Sequence, residues 1–359
     1  MDLALYHPEL GYYARAGQRS GRAGDFFTSV DVGAVFGELL AAQVAEMVTL
    51  LESRLPNPES HLDLVEAGAG NGRLAADIMR ALKRDHPDAY QQVHLHLVEA
   101  SATARAEQRH TLGEVGDRLI SSSETLPDSF EGVLVANELL DAMPVHQVTM
   151  TADGLREVYV GSRLTVDSPQ GRQSVNCELS TVNGPPSTPR LQQYLDAAGA
   201  HLQPGWRAEI NLNAVDWIRD AARRLRRGFM ILIDYGHDAR ELYSASHSAG
   251  TLTTFTGHRA GEGETWLQNP GQQDITSHVD WTSIRRAAHA EALQTIAFLD
   301  QTYFLLGIVS SLPQPPAASP QLKTLLLPGG LGSVMKVLIL GKGVGTPALL
   351  GTSFKVRAT

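Results

Sequence analysis

The chain has 359 residues, 43% of them hydrophobic, which is enough to bury a full α/β core with an elaboration. Charged residues make up 19% and the formal net charge is -9, so nucleic-acid binding through a broad basic surface is not expected. A single cysteine, Cys177, excludes an internal disulfide and a cysteine-based metal cluster; it fits a reducing, cytoplasmic setting and is read as structural.

No apolar run reaches the roughly 18 residues that a membrane span needs. Met1 to Leu10 shows neither a basic n-region nor an Arg-rich amphipathic pattern, so no signal or transit peptide is expected. Val32 to Leu51 has a helical period, with Val35, Leu39, Leu40, Val44 and Met47 on one side. Residues 1–60 are therefore read as an N-terminal helical or lid segment, ending in a loop at Pro56 and Pro58. Strands follow at Leu62 to Val65, Val93 to Val98, Leu119 to Ser122 and Val133 to Ala136, with a helix at Leu74 to Leu82. The fourth of these strands is wholly apolar and should be buried on both faces.

After Pro144 the pattern changes. Val145 to Met150, Leu155 to Val166 and Gln173 to Leu179 read as antiparallel strands, with turns at Asp153-Gly154 and Gly171. Residues 145–210 are thus expected to be an inserted hairpin region facing the substrate. A helix at Ala214 to Arg227 ends in a basic run, which is read as an exposed last turn stopped by Gly228. A buried strand, Phe229 to Ile233, comes next. Beyond it lie a polar loop from His237 to Gly271, a helix at Trp281 to Leu293, and strands at Tyr303 to Val309 and Val334 to Leu340 around a Pro-rich link, Pro313 to Pro320. Strand–helix alternation predicts a single domain on a doubly wound parallel sheet, with an antiparallel edge from the late strands.

The chemistry-bearing residues fall at strand ends, where ligands bind on such sheets. The first strand runs into Glu66-Ala67-Gly68-Ala69-Gly70-Asn71-Gly72-Arg73. A dinucleotide turn would need a glycine where Arg73 stands, and no P-loop Gly-Lys-Ser/Thr follows. An acid before Gly-x-Gly-x-Gly instead suits S-adenosylmethionine, whose methionyl ammonium Glu66 would meet beside Gly68, Gly70 and Gly72. Glu99, after the second strand, is placed to accept the ribose hydroxyls, and Ser121 to Leu126 to flank the adenine. Thr28 and Ser29, in the loop Gly24 to Ser29, are candidate donors to the methionyl carboxylate; alternatively Ser29 or Asp31 caps the helix that follows. The fourth strand ends in Asn137, Glu138 and Asp141, either acceptor-orienting groups or a capped turn stopped by Pro144. His237 is a candidate base or cleft lining. No metal site is expected, because the histidines lack a ligand spacing such as H-x-x-x-H beside acids.

With these residues in view, the sequence resembles the MidA-like methyltransferases. The matching blocks are Tyr6 to Tyr13, Gly24 to Ser29, Phe36 to Leu40, the glycine turn, Asn137 to Val145, Ile233 to His237, Gly250 to Leu252, Gly257-His258, Asp274 to Asp280 and Phe304 to Ile308, in order along nearly the whole chain. Val30 stands where that family tends to have proline. The resemblance implies a class I, Rossmann-like methyltransferase fold with an inserted β-hairpin region, and S-adenosylmethionine as cofactor. It further implies an arginine of a partner protein as acceptor, such as a respiratory complex I subunit. Glu138 and Asp141 are the candidate catalytic carboxylates for a guanidinium; a small-molecule acceptor would call instead on a base such as His237. A third reading is a cofactor-binding assembly factor. A homodimer is compatible with the sequence.

Overall fold

The computed structural model describes residues 1–14, 25, 28–53, 61–167, 174–261, 263–314, 319–327, 332 and 334–354. The loop at Pro56 and Pro58, the turn at Gly171, part of the Pro-rich link, and Gly24, Phe26 and Phe27 lie outside the described residues. The chain opens with helices α1 (Asp2–Tyr6) and α2 (Val35–Glu52). Strand β1 (Leu62–Ala67) then leads to α3 (Arg73–Asp85), α4 (Pro87–Gln92), β2 (Val93–Val98), α5 (Ala102–Leu112), β3 (Leu119–Ser123) and β4 (Phe130–Asn137). Strands β5 (His146–Thr151), β6 (Gly154–Asp167) and β7 (Ser174–Gly184) precede α6 (Arg190–Ala198), β8 (Arg207–Ile210), α7 (Leu212–Arg224) and β9 (Leu225–His237). Next come α8 (Ala239–Leu242), β10 (Thr253–Thr256), β11 (Arg259–Ala260), β12 (Asp274–Thr276) and β13 (Val279–Asp280). The chain continues through α9 (Trp281–Ala290), β14 (Gln294–Asp300), α10 (Gln301–Ser311), α11 (Pro320–Leu326) and β15 (Met335–Lys342).

Among the described residues, the main sheet runs β14-β15-β9-β4-β1-β2-β3, with β13 joined parallel to the end of β9. Strands β3, β2, β1, β4 and β9 are mutually parallel. Period-two alternation explains why the sheet is covered on both faces. Leu62 and Leu64 of β1, Val133 and Val135 of β4, and Phe229, Ile231 and Ile233 of β9 enter one core with α2, α3, α10 and α11. Val65, Ala67, Leu134, Ala136, Met230 and Leu232 enter the other, with α6, α7 and α9. The switch point lies between β1 and β4, which places the glycine turn and the Asn137–Asp141 turn side by side at the carboxyl edge.

Several expectations are corrected. Tyr303 to Val309 is not a strand: it lies inside helix α10, which buries Phe304, Leu305 and Ile308 along one helical stripe. A short apolar run is compatible with either element, and here the helix wins because β14, not foreseen, already supplies the edge strand. The antiparallel strand, β15, lies between β9 and β14 instead of at the edge. Gly228 does not stop a helix. It lies within β9 opposite Gly132, where a Cβ would fall 1.9 Å from the Gly132 carbonyl oxygen. The basic run therefore straddles α7 and β9, and Arg223, Arg224 and Arg227 pair with Glu291, Asp220 and Glu131. Residues 145–210 fold as a four-stranded antiparallel sheet, β7-β6-β5-β8, with α6 between β7 and β8. The polar loop after His237 contains α8 and a small sheet, β11-β10-β12. No described helix is long and apolar enough to cross a membrane.

Candidate functional site

The glycine turn is fastened to the end of β2. The N–H groups of Gly68 and Ala69 both donate to the Val98 carbonyl, at 2.9 and 3.0 Å. Gly72 caps α3 in a left-handed conformation. Gly70 has φ +51°, and an added Cβ there would meet nothing within 4 Å, so the turn presents bare backbone to open space. Glu66 is buried, and its carboxylate accepts the Ala75 N–H at 3.0 Å, filling an orphan donor of the α3 N-terminus. Burial, reinforced by the nearby Glu99 charge, pushes Glu66 up to about 8. Glu99 turns inward: it accepts the Gly70 N–H at 2.9 Å and the Ser101 N–H at 2.7 Å. Its carboxylate thereby shapes the turn as well as facing the ligand edge.

Two residues without a sequence signal complete this half. Gln108, fully buried, donates to the Gly70 carbonyl at 2.8 Å and accepts from Ser122 at 2.6 Å, tying the third strand to the glycine turn. Arg73, the residue that breaks the dinucleotide pattern, pairs with Asp31 at 2.7 Å and donates to the Val30 carbonyl at 3.1 Å. It locks the segment carrying Thr28 and Ser29 against the cofactor turn. Thr28 gives both its N–H and its hydroxyl to Asp31, so Asp31 is the capping group at the start of the helical turn Ser29–Val32. Ser29 is buried: its hydroxyl donates to Gln301 at 3.2 Å, and its backbone N–H bonds to Glu138.

The acid turn after β4 is the second half. Leu139 packs over Gly68, where an added Cβ would lie 3.1 Å from its Cδ1, so the two turns touch. Glu138 has φ +52°, a left-handed conformation that is strained for a residue with a branchless but bulky side chain. Asp234, buried at the end of β9, holds the turn: its carboxylate accepts N–H bonds from Leu140 at 2.8 Å, Asp141 at 3.3 Å and Tyr235 at 2.8 Å. Asn211 donates to the Leu140 carbonyl at 2.9 Å and Tyr6 to the Ala142 carbonyl at 2.9 Å. Tyr13 packs against Tyr6 with ring centroids 5.3 Å apart and planes tilted by 37°, and it donates to Asp274 at 2.9 Å. The N-terminal tyrosines therefore wall the site.

Three acids with little solvent meet at this turn, and the Asp234 charge opposes ionisation of Glu138 and Asp141. Burial, then the Asp234 charge, pushes half-buried Glu138 up to about 8. Burial raises Asp234 to about 7, against the backbone N–H bonds that lower it. Asp141 is raised well above the carboxylate range by burial and by Asp234 and Glu138. Two buried acceptors in the turn, Asn137 Oδ1 and Asp141 Oδ1, have no hydrogen-bond partner. Orphaned acceptors beside open glycine backbone fit a polar, cationic ligand. The glycine turn, Glu66 and Glu99 fit S-adenosylmethionine, and the orphaned Asn137 Oδ1 fits the same polar ligand. His237 is not part of this group. Its Nδ1 lies 3.1 Å from Glu241, and its ring packs against His247 and His278. An open cleft of about 990 Å³ lies elsewhere, lined by Glu178, Leu179, Glu264 and residues 267–270 and 272.

Comparison with known proteins bears on the family, fold and cofactor. The sequence model of a family described as S-adenosyl-L-methionine-dependent methyltransferase matches residues 39–299. A Danio rerio protein named protein arginine methyltransferase NDUFAF7, mitochondrial, is 28% identical over 313 residues, 80% of this chain and 67% of that protein. Its Mus musculus counterpart is 29% identical over 383 residues, 98% of this chain and 79% of the relative. A crystal structure from Burkholderia thailandensis with S-adenosyl-homocysteine bound superposes with TM-score 0.81 at 28% identity, covering 99% of this chain and 90% of the other. The fold is that of class I methyltransferases, and S-adenosylmethionine is the cofactor. The chain belongs to the MidA-like family of S-adenosylmethionine-dependent methyltransferases.

Proposed function

We propose that this methyltransferase modifies an arginine side chain of a partner protein. The observation that carries the reading is the acid turn: buried Asp141 keeps an unpartnered oxygen, with Glu138 beside it, at the edge where the cofactor turn opens. A guanidinium is planar and cationic and pairs with carboxylates by two parallel hydrogen bonds, so it would relieve both the orphaned acceptor and the mutual repulsion of the acids. Relatives named as protein arginine methyltransferases support the same acceptor class. When bound, the cofactor supplies an electrophilic methyl group on a sulfonium centre. The chain's own part is to orient the acceptor nitrogen, hold it away from water and keep a carboxylate ready to take its proton. Glu138 and Asp141 do this in our reading, with Asp234 fixing their backbone. The insertion 145–210 is assigned to partner binding, supported by the open cleft at its β7 strand, where Glu178 and Glu264 lie among polar and apolar neighbours.

The small-molecule alternative with His237 as base has less support, because the charges acting on His237 come from Glu241, His247 and Lys336. The test is methyl transfer from labelled S-adenosylmethionine to candidate partner proteins, respiratory complex subunits among them, mapped by tandem mass spectrometry. Label on arginine, missing from the same protein in a deletion strain until the gene is restored, is expected. Label recovered only in small molecules would overturn the acceptor assignment while leaving the cofactor assignment standing.

A further inference from the structure

We propose that His237, His247 and His278 form a binding site for a divalent transition metal, zinc by ligand type. The three come from separate elements: the end of β9, the turn Ala245–His247, and the residue before β13. Strand β13 pairs parallel with Gly236 and His237, and a Cβ at Gly236 would fall 2.1 Å from the Val279 carbonyl oxygen. That glycine lets β13 close on β9 and so brings His278 to His237. One ligand nitrogen from each ring lies within 4.8 Å of those of the other two. The ring centroids are 4.8, 5.2 and 6.0 Å apart.

The surrounding hydrogen bonds argue for a ligand between the rings. Glu241 serves two of the histidines: its carboxylate lies 3.1 Å from His237 Nδ1, and its backbone carbonyl 3.0 Å from His247 Nδ1. A histidine that donates Nδ1–H to an oxygen carries its lone pair on Nε2, which is the arrangement found behind metal-bound imidazoles. His278 Nδ1 is buried with no hydrogen-bond partner, a polar nitrogen that a simple stack of rings leaves unexplained. The other groups facing the cluster are Ser246, 3.3 Å from His247 Nδ1, and Lys336, which is paired to Asp300. Zn–N bonds of about 2.0–2.1 Å put tetrahedral ligand nitrogens roughly 3.4 Å apart, so side-chain rotations of about an ångström close the site. Imidazole ligands suit zinc, copper and nickel better than magnesium or calcium. Three ligands leave the fourth tetrahedral position for water. The site is at the same carboxyl edge as the acid turn, one strand over, since β9 neighbours β4.

The experiment uses the full chain, stripped with a chelator and titrated with Co²⁺ and then Zn²⁺. One equivalent of Co²⁺ should give the intense visible bands of a tetrahedral nitrogen site, and Zn²⁺ should displace it. H247A should bind at least about tenfold more weakly, and E241Q, which leaves the backbone carbonyl on His247 in place, should lose up to about tenfold through a weaker hold on the His237 ring. H110A, on α5, should bind as wild type. Circular dichroism and S-adenosylhomocysteine binding confirm that each variant is folded. A wild-type protein with no cobalt bands and no heat of zinc binding overturns the proposal. So does a folded H247A or H237A/H247A/H278A variant that binds as tightly as wild type.

Discussion

At Gly70 a side chain would project into open space from a backbone with φ +51°. Gly70→Val should therefore fold, and should lose at least about tenfold in S-adenosylmethionine affinity by calorimetry, because its branches occupy the ligand's place. A lowered Tm with unchanged affinity would mean that only backbone strain had been added. Glu138 calls for the opposite pattern. Glu138→Gln keeps shape and removes charge, so cofactor affinity should stay near wild type while turnover falls about a hundredfold, roughly 2.7 kcal/mol. In the wild type, turnover should rise with pH, reach half its maximum near 8, where Glu138 ionises, and level off about a unit above, and the Gln variant should lose that dependence. The stability sign is the reverse. Glu138 has a higher pKa folded than unfolded, so the folded state holds the extra proton. Stability from this group is full below about pH 4 and is lost as pH rises through about 8. Thermal melts of the unliganded protein should show Glu138→Gln raising Tm at pH 8.5 more than at pH 6; an equal effect at both would refute the shifted pKa.

The acid turn as an element depends on a carboxylate 94 residues away from the N–H of Leu140. Asp234→Ala orphans three N–H groups, and each buried donor left unpaired costs about 1–3 kcal/mol. Denaturant melts should show a loss of at least that size, with turnover falling more than cofactor binding. A variant as stable as wild type would mean that the turn holds itself. This dependence also explains what the sequence could tell. The glycine turn and Glu138–Asp141 were legible because strand, turn and helix signals are local. Gln108, Arg73 and the tyrosine wall were not, since their partners lie 38, 42 and 136 residues away in sequence for Gln108, Arg73 and Tyr6. Helix α10 was misread because a seven-residue run such as Tyr303 to Val309 is too short to show its period, and the β14 strand that decides the matter has its residues only partly buried or exposed. The histidine cluster gave no signal because its members are ten and more residues apart in sequence, on different elements.

For the whole molecule, two turns from adjacent strands meet at one edge of the sheet, and two cores fix that edge from opposite faces. The proposed division of labour follows: Glu66 beneath the glycine turn would serve the cofactor, and the turn after β4 the acceptor. Because Glu66 titrates near 8, affinity for the cationic cofactor should rise between about pH 5.5 and 7.5, by at most about tenfold per unit. Calorimetry in buffers of different ionisation enthalpy should show proton release on binding; its absence would place the ammonium elsewhere.

The most direct measurement is a paired one: S-adenosylmethionine affinity and methyl-transfer rate for Gly70→Val and Glu138→Gln, side by side with wild type. The account predicts that Gly70→Val loses binding and activity together, while Glu138→Gln binds as wild type and turns over about a hundredfold more slowly. Loss of binding in both variants, or full activity in Glu138→Gln, would contradict the separation of cofactor turn from acceptor turn.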